Sequence, residues 1–457
     1  MKIAVIGAGV AGLGAAWLLG KRHDVAIYEK NARLGGHSNT VIANAYGREI
    51  AVDTGFIVYN EPNYPDLTAL FAHLSVRTEA SDMSFAVSLF EGGFEFGSGD
   101  LAILGQPSNI LDRRFHRMIA DLLRFNRLGR RLGSDAALAN LTLGDWLDRQ
   151  RFGDYFVDRF ILPLCACIWS CSLEDMRQFP LLHFAEFFAE HRLFNIWRQQ
   201  SWRTVSGGSR QYVDKLAQPV AANARTAHAA VAVERHLDHV MVRDGSGHWD
   251  RFDQIVLACH ADEALSLLGQ DATETERRHL SAFRYASNRT ILHTDRLLMP
   301  KRRAVWSSWN YVADKPSRQG PIAVTYWMNR LQNIDPACPL FVTNNPVRQP
   351  APESVLAEFD YSHPLYDHGA FAAQPLLAQL QGKKRTWFCG SYFGFGFHEG
   401  ALASGLDVAH SLGVPRPWNG AVAGLAPKRP LIDTLPGLTG GGALPGHGQV
   451  RGRAEDI

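Results

Sequence analysis

Hydrophobic and polar positions change period twice within the first thirty residues. Ile3-Ala4-Val5-Ile6 is a short unbroken apolar run, as expected of a strand buried on both faces. Ala11, Ala15, Ala16, Leu18 and Leu19 then mark a helix, and Val25-Ala26-Ile27-Tyr28 returns to a buried strand. Strand, glycine turn, helix and strand make a βαβ start, which predicts a parallel sheet. Residues 40–96 read as β-rich, with Thr40 to Ala43, Phe56 to Tyr59, and Phe85 to Phe96 around Gly92-Gly93. A helix from about Tyr64 to Leu74, starting just after Pro62, interrupts them. Residues 110–200 read as helical and aromatic. Strands return at 228–259, where Ala230–Glu234 and His239–Arg243 pair as a hairpin and Phe252–Cys259 forms one buried strand. Further strands, such as Ile322 to Trp327, fall within 284–345. A strand Thr386–Cys389, a Gly/Phe-rich loop and a helix from about Glu399 to Leu412 close the organised part. After Pro415 the chain is rich in Pro, Gly and Ala, with a glycine run at Gly440–Gly442, and a flexible tail is expected there. No internal repeat is present.

The turn after the first strand is Gly7-Ala8-Gly9-Val10-Ala11-Gly12, a G-x-G-x-x-G in the strand-to-helix context that gives the motif meaning. Gly7 permits the tight turn, Gly9 lets the backbone approach a pyrophosphate, and Gly12 lets helix and strand pack closely. The helix start offers free N–H groups and a positive dipole end to phosphates. Glu29 ends the second strand, with Lys30 beside it; a carboxylate here accepts ribose hydroxyls and repels a 2′-phosphate, which disfavours NADP.

Three later features favour FAD over NAD. Arg33-Leu34-Gly35-Gly36-His37 follows the second strand at once, and its paired glycines let the chain pass close over the pyrophosphate while Arg33 or His37 adds positive charge. The strand ending at Ala258 returns to the nucleotide sheet late in the chain, as a large insertion requires. Cys389-Gly390-Ser391 ends a strand, and His398-Glu399-Gly400-Ala401-Leu402 opens a helix whose N-terminus suits the ribityl chain or the pyrimidine ring of a flavin.

These motifs resemble the flavin-containing amine oxidase and phytoene desaturase superfamily: the fingerprint Gly7 to Gly12, R-x-G-G at Arg33 to Gly36, and a late glycine, Gly390, followed by the G-A-x-x-S-G helix start Gly400 to Gly405. The resemblance spans residues 1 to about 413. It implies an α/β fold with a Rossmann-like FAD-binding domain and an inserted substrate domain of mixed β-sheet plus helices. The FAD-binding domain is expected from 1–75, 205–275 and 380–413, the substrate domain from 76–204 and 276–379, and the tail from 414–457. The adenine-side hairpin strand is expected at Ala230. Two departures stand out: His37 where the family carries Arg, and Ser391 where it carries Glu, a contact Glu399 is placed to replace. No cysteine attachment motif is present, so FAD is expected to be non-covalent.

A narrower likeness rests on Asp53-Thr54-Gly55-Phe56-Ile57-Val58-Tyr59-Asn60, Asp82-Met83-Ser84-Phe85, Trp202 to Ser209, Tyr326-Trp327-Met328-Asn329 and Phe393 to Glu399. These phrases are similar to a bacterial subfamily of NAD/FAD-binding proteins associated with methyltransferases resembling cyclopropane fatty-acid synthase. The likeness implies an unsaturated or methylated fatty acyl substrate and a methyltransferase partner. A desaturase or oxidase is therefore the first expectation. A flavin amine oxidase, a non-catalytic flavin-binding scaffold and a simple NAD dehydrogenase remain as alternatives.

Flavin chemistry asks the protein for orientation and electrostatics, with a base for any second proton. His398 is the first candidate base, His191 the second and Tyr326 the third. Gly55 and Phe56 follow a strand and are candidates to lie along the flavin. Cys165-x-Cys167-x-x-x-Cys171 lacks a fourth ligand at a standard spacing, so buried thiols on a helix are expected, and no metal.

Formal net charge is only +2, with 47 basic against 45 acidic side chains, so no nucleic-acid partner is implied. The local exception is Ile110 to Leu132. It carries Arg113, Arg114, Arg117, Arg124, Arg127, Arg130 and Arg131 against Asp112 and Asp121, with Phe115, Ile119, Leu122 and Phe125 at helical spacing. Such a helix either meets an anionic membrane surface or an acidic carrier protein, or turns its apolar side into the core. With no secretory segment and no apolar run of membrane-span length, a cytoplasmic protein with a peripheral membrane contact is expected.

Overall fold

The computed structural model describes residues 1–98, 100–132, 138–195, 200–315 and 317–418. The tail expected from 414 is instead packed as far as Trp418, which stacks on Trp17 at 6.1 Å, and from 419 onward it lies outside the described residues. The βαβ start forms as expected: β1 (Lys2–Ile6), α1 (Val10–Leu19) and β2 (Asp24–Tyr28). β1 sits inside a five-stranded parallel sheet, between β2 and the strand Gln254–Leu257, with Thr386–Phe388 and Ala224–Arg225 at the edges. That central position explains why Ile3, Ala4 and Val5 are fully buried.

All ten residues of α1 are buried, because the helix is sandwiched between the sheet and the C-terminal helix His398–Ser411. Gly405 permits the contact: a Cβ there would lie 2.1 Å from the Ala11 carbonyl oxygen. Ser404 ties the other side, its hydroxyl accepting from the Gly390 N–H at 2.9 Å. The late G-A-x-x-S-G stretch thus holds the last helix on the first.

The second large sheet has seven strands in the order Val355–Leu365, Arg284–His293, Phe341–Asn344, Val324–Trp327, Trp309–Ala313, Phe85–Leu89 and Phe94–Gly97. Only Trp309–Ala313 with Phe85–Leu89 is a parallel pair, so the sheet is mixed. α2 (Pro65–His73) packs on the C-terminal helix, while against this sheet lies α3 (Arg113–Gly129), in the aromatic region, whose Phe115 ring meets Phe96 at 5.8 Å. There Phe125 is ringed by Trp146, Phe152, Phe156, Phe184, Phe188 and Phe194 at 5.4 to 6.3 Å between ring centres. This is an α/β fold with a parallel nucleotide-type sheet and an inserted mixed sheet plus helices.

Several expectations need correction. The run Phe252–Cys259 is not one strand: Trp249–Phe252 closes a three-stranded antiparallel sheet, and Gln254–Leu257 enters the parallel one. Asp253 is the corner, its N–H donating to the Lys2 carbonyl and its carboxylate accepting the Lys2 N–H at 2.7 Å. The strands Trp202–Val205 and Val355–Leu365 lie outside the regions read as strand, because they carry too many polar residues to be read as apolar alternation. Cys165, Cys167 and Cys171 are buried free thiols, and no cluster able to hold a metal occurs among the described residues. No described helix is long and apolar enough to cross a membrane.

Candidate functional site

A continuous cavity of about 1290 Å³ begins at the C-terminal ends of the parallel strands and runs into the helical region. This is larger than the ~300–1,000 Å³ of a typical small-ligand pocket, leaving room for a large cofactor and a substrate. Its first end is built by Gly7, Gly9, Val10, Ala11, Glu29, Lys30, Arg33, Gly35, Gly36, Ala230 and Ala258, all of which line it. Gly7 has φ +99° and its N–H donates to the Tyr28 carbonyl at 2.8 Å, which bends the chain from strand into helix. Arg33 donates to the Gly36 carbonyl at 2.8 Å, and the Gly35 N–H donates to Ala8, so the R-x-G-G segment lies across the glycine turn. Gly36 must be glycine: a Cβ would come 2.9 Å from the Gly9 Cα. A Cβ on Gly9, by contrast, meets nothing within 4 Å and would project into open space at the α1 N-terminus.

Glu29 is buried and spreads its carboxylate between the Ala8 N–H (2.8 Å) and the Asn31 backbone and side-chain donors (2.8 and 2.9 Å). It therefore fixes the glycine turn while keeping acceptor lone pairs for a ribose. Lys30 forms a part-exposed pair with Glu263 at 2.6 Å.

Further in, Gly55, Phe56, Gly390, Ala401 and His398 line the wall. The Phe56 N–H donates to His37 at 2.8 Å, and a Gly55 Cβ would lie 2.2 Å from that same carbonyl oxygen, so this turn must be glycine. Asp53 anchors it from behind, accepting from Ser209, Thr40 and Gln332. Burial raises Asp53 to about 6 despite those donors. His37 is half-buried, with its Nε2 buried and unpartnered, and its ring lies 4.9 Å from the Tyr361 ring and 5.2 Å from His363. Burial first, then the neighbouring histidines, hold His37 well below 6.5, and burial lowers His363 to about 4. Both rings are thus neutral at pH 7.

The far arm is aromatic and aliphatic, with Phe85, Phe96, Phe125, Phe160, Leu164 and Phe187 among its walls. Part of it comes from the π-helical turn Val157–Ile161, which leads directly into the helix Leu162–Trp169. Its acids are informative: among the described residues, the cavity's carboxylates are Glu29, Glu263 and Asp360, none of them on this helical wall.

The three candidate bases all line the cavity but differ in freedom. The His398 ring stacks on Phe56 at 3.9 Å, and its Nε2 is bonded to the Tyr212 hydroxyl at 2.5 Å and to Ser38 at 3.3 Å. Burial lowers it to about 3. His191 bonds through Nδ1 to the Phe187 carbonyl at 3.0 Å, and burial lowers it to about 4. A carbonyl only accepts, so Nδ1 carries the proton and the neutral ring keeps its Nε2 lone pair. Tyr326 packs edge-on to Trp309 at 5.1 Å, and burial holds it as a neutral phenol.

Four expected cofactor residues do not line the cavity. Gly12 serves packing alone, since a Cβ would sit 1.9 Å from the Gly7 oxygen. Gly400 lets its chain approach Gly394, and Leu402 is buried against Gly14. Glu399, expected to replace a ribityl contact, instead caps α2, accepting from the Asp66 and Leu67 N–H groups at 2.7 and 3.0 Å. Residues that sequence reasoning missed are Phe359, Tyr361 and His363, which line the cavity from one strand. Their period of two was the available signal. His260 was also missed.

The fit to FAD follows from the chain itself. The open space over Gly9, the buried Glu29 acceptor and the orphaned His37 Nε2 match a pyrophosphate, a ribose and a polar ring edge in that order. A family model described as flavin-containing amine oxidoreductase matches residues 10–318. The chain belongs to the flavin-containing amine oxidoreductase family. It is accordingly an FAD-dependent oxidoreductase.

Solved structures share the fold of this family member. A CLA-producing fatty acid isomerase from P. acnes superposes with TM-score 0.63 at 17% identity, covering 90% of this chain and 98% of that one. Cyclohexylamine oxidase from Brevibacterium oxydans IH-35A gives 0.62 at 15%, with the same coverage. Wild-type putrescine oxidase bound to putrescine gives 0.64 at 13%, covering 90% and 99%. No curated protein matched the sequence.

Proposed function

We propose that this flavoenzyme is a desaturase or oxidase acting on an unsaturated or methylated fatty acyl chain, with FAD held non-covalently. The observation that carries the reading is the helical arm of the cavity: a long apolar wall with no carboxylate among its described residues. An alkyl chain gains by leaving water for such a wall, at roughly 25 cal/mol for each Å² buried, whereas an ammonium group finds no counter-charge. The fold does not decide the substrate, since its neighbours include both a fatty acid isomerase and amine oxidases. Non-covalent binding rests on the absence of a cysteine attachment motif in the sequence; Cys389 lies buried outside the lining, while Cys259 and Cys167 line the cavity at the strand end and in the helical arm.

Bound FAD supplies an acceptor for the two electrons and one hydrogen removed from the substrate. The protein's part is to orient the chain between aromatic faces, exclude water and receive the second proton. We assign that last role to His191, whose ring lines the arm and whose Nε2 is held by no described residue. His398 is the weaker choice, since its Nε2 is already held by Tyr212.

The test is anaerobic bleaching of the bound flavin. Methylated and unmethylated unsaturated acyl lipids should bleach it and amines should not. Bleaching by amines alone would overturn the substrate class and leave family and cofactor intact.

A further inference from the structure

Among the described residues, five of the fourteen exposed large apolar side chains lie between Ile103 and Leu123. Leu111 is 88% exposed, Leu123 56%, Leu104 50%, Ile110 47% and Ile103 37%. Four of them come from two short 3₁₀ turns, Asp100–Leu104 and Pro107–Leu111, which pack on each other. The second turn runs into α3 through Asp112, whose side chain caps the helix by accepting the Arg114 N–H at 2.8 Å.

α3 itself divides cleanly. Phe115, Met118 and Phe125 face inward and are buried, and Leu122 and Asn126 line the apolar arm. Arg113, Arg117, Arg124, Arg127 and Arg131 recur along the opposite stripe. Arg124 is spent on Asp121 and on the carbonyls of Gln150 and Arg151, and Arg114 is spent on Asp112. Arg130 reaches Phe194 and Asn195. Among the described residues, no carboxylate lies within ion-pair distance of Arg113, Arg117, Arg127 or Arg131. Ile103 belongs to both sets, being exposed at the surface and part of the cavity wall.

We propose that this edge seats on an anionic lipid bilayer, and that an acyl chain passes from the bilayer beside Ile103 into the apolar arm. The proposal rests on the acyl-chain reading above. Leu104, Ile110 and Leu111 enter the acyl boundary, while Arg113 and Arg117, within the first turns after them, meet lipid phosphates. A bilayer offers both layers at once, apolar beneath and anionic above. A second copy of this chain would instead bring two uncompensated arginine stripes together. The inward apolar side of α3 is part of the protein's interior, so the contact is made by the turns before the helix and by its arginines.

The experiment uses the FAD-loaded protein, sedimented with vesicles of phosphatidylcholine alone or mixed with phosphatidylglycerol. Two double variants are compared with it: Leu104→Gln with Leu111→Gln, and Arg113→Gln with Arg117→Gln. These side chains are exposed, so flavin content and melting temperature should match the parent. The parent should bind the mixed vesicles and release them as salt rises. Each arginine removed should weaken partition about fivefold, and each leucine roughly tenfold. Bleaching by bilayer-embedded acyl lipid should fall in step, while bleaching by detergent-dispersed lipid should not change.

Failure of the parent to bind mixed vesicles, or unchanged binding by both variants, would overturn the surface. Arginine-dependent binding of an acidic carrier protein without vesicle binding would overturn it equally. Bleaching by dispersed lipid in those cases keeps the acyl-chain reading. Patch-dependent vesicle binding with no bleaching by any acyl lipid keeps the surface and overturns the uptake route.

Discussion

Gly9→Val separates cofactor binding from folding more sharply than any other change in the glycine turn. Gly9 is the N-cap of α1 at φ −70°, ψ −179°, an extended conformation that valine adopts freely. Nothing lies within 4 Å of its virtual Cβ. Losing glycine at an N-cap costs about 0.5–1 kcal/mol, and restricting the unfolded chain returns roughly 0.4–1 kcal/mol. The apo protein should therefore melt within a few degrees of the parent.

Binding should suffer badly, because the side chain fills the space a pyrophosphate needs. The N–H groups of Val10 and Ala11 precede the first α1 hydrogen bond, Leu13 N–H to Gly9 O at 2.8 Å, and are the donors at stake. Charged hydrogen bonds are worth roughly 1.5–3 kcal/mol each, so losing two costs about 3–6 kcal/mol, or two to four powers of ten in Kd. The assay is titration of apo protein with FAD, followed by flavin absorbance, beside thermal melting by circular dichroism. Gly12→Ala is the contrasting control. Its Cβ would lie 1.9 Å from the Gly7 oxygen and 3.1 Å from the Ala258 Cβ, so the backbone must shift and folding itself should lose about 1–3 kcal/mol. Parental FAD affinity in Gly9→Val would refute the pyrophosphate assignment, and a collapsed apo fold would refute the open-space argument.

Glu29→Ala should weaken FAD by about 1–3 kcal/mol through lost ribose bonds and a loosened glycine turn, and an unchanged Kd would remove Glu29 from the site. Glu399→Gln should flatten the pH dependence of stability. Burial raises Glu399 from 4.5 to about 8 in the fold, so its contribution is full below pH 4.5 and is lost as pH rises through about 8. Melting curves of the two proteins with parallel pH slopes would contradict this. Leu164→Trp should crowd the apolar arm, raising KM for long acyl chains roughly tenfold or more while leaving flavin content unchanged; equal KM values would place the substrate elsewhere.

The dinucleotide end was legible because it is written in local backbone requirements. Gly7 needs positive φ, Gly35 and Gly36 need absent side chains, and Glu29 falls at a fixed distance along the chain. Each constraint acts over few residues and leaves a mark on the sequence. The catalytic side was less legible because its parts meet only in three dimensions. His398 stood out by lying at the start of a helix that opens on the cavity, yet its partner Tyr212 is 186 residues away. Glu399 carried the expected charge at the expected place, but its carboxylate turns to α2, more than 300 residues earlier in the chain. Tyr361 and His363 lie on the long edge strand Val355–Leu365, whose half-polar composition hid it from apolar patterning.

The two ends of the cavity also differ in what a mutation there can change. At the nucleotide end, the wall is backbone, closed by glycines that admit no side chain at Gly7, Gly35 and Gly36 without displacing main chain. At the far end, the wall is side chains from helices, and the backbone turn nearest to it is the π-helical stretch Val157–Ile161. A π turn holds one residue more than an α turn, so it resets the face that later residues present. Phe160, Ile161, Leu164 and Ile168 line the arm in the register this turn sets, while Phe156, just before it, is fully buried outside the lining. Substrate shape is thus free to vary by side-chain size and by one-residue changes in a helix, while the cofactor seat stays fixed by main-chain packing. Under the proposed acyl-chain reading, the specificity of this chain is therefore expected in the side chains of the far arm, Phe85, Phe160, Leu164 and Phe187 among them, and not at the nucleotide end.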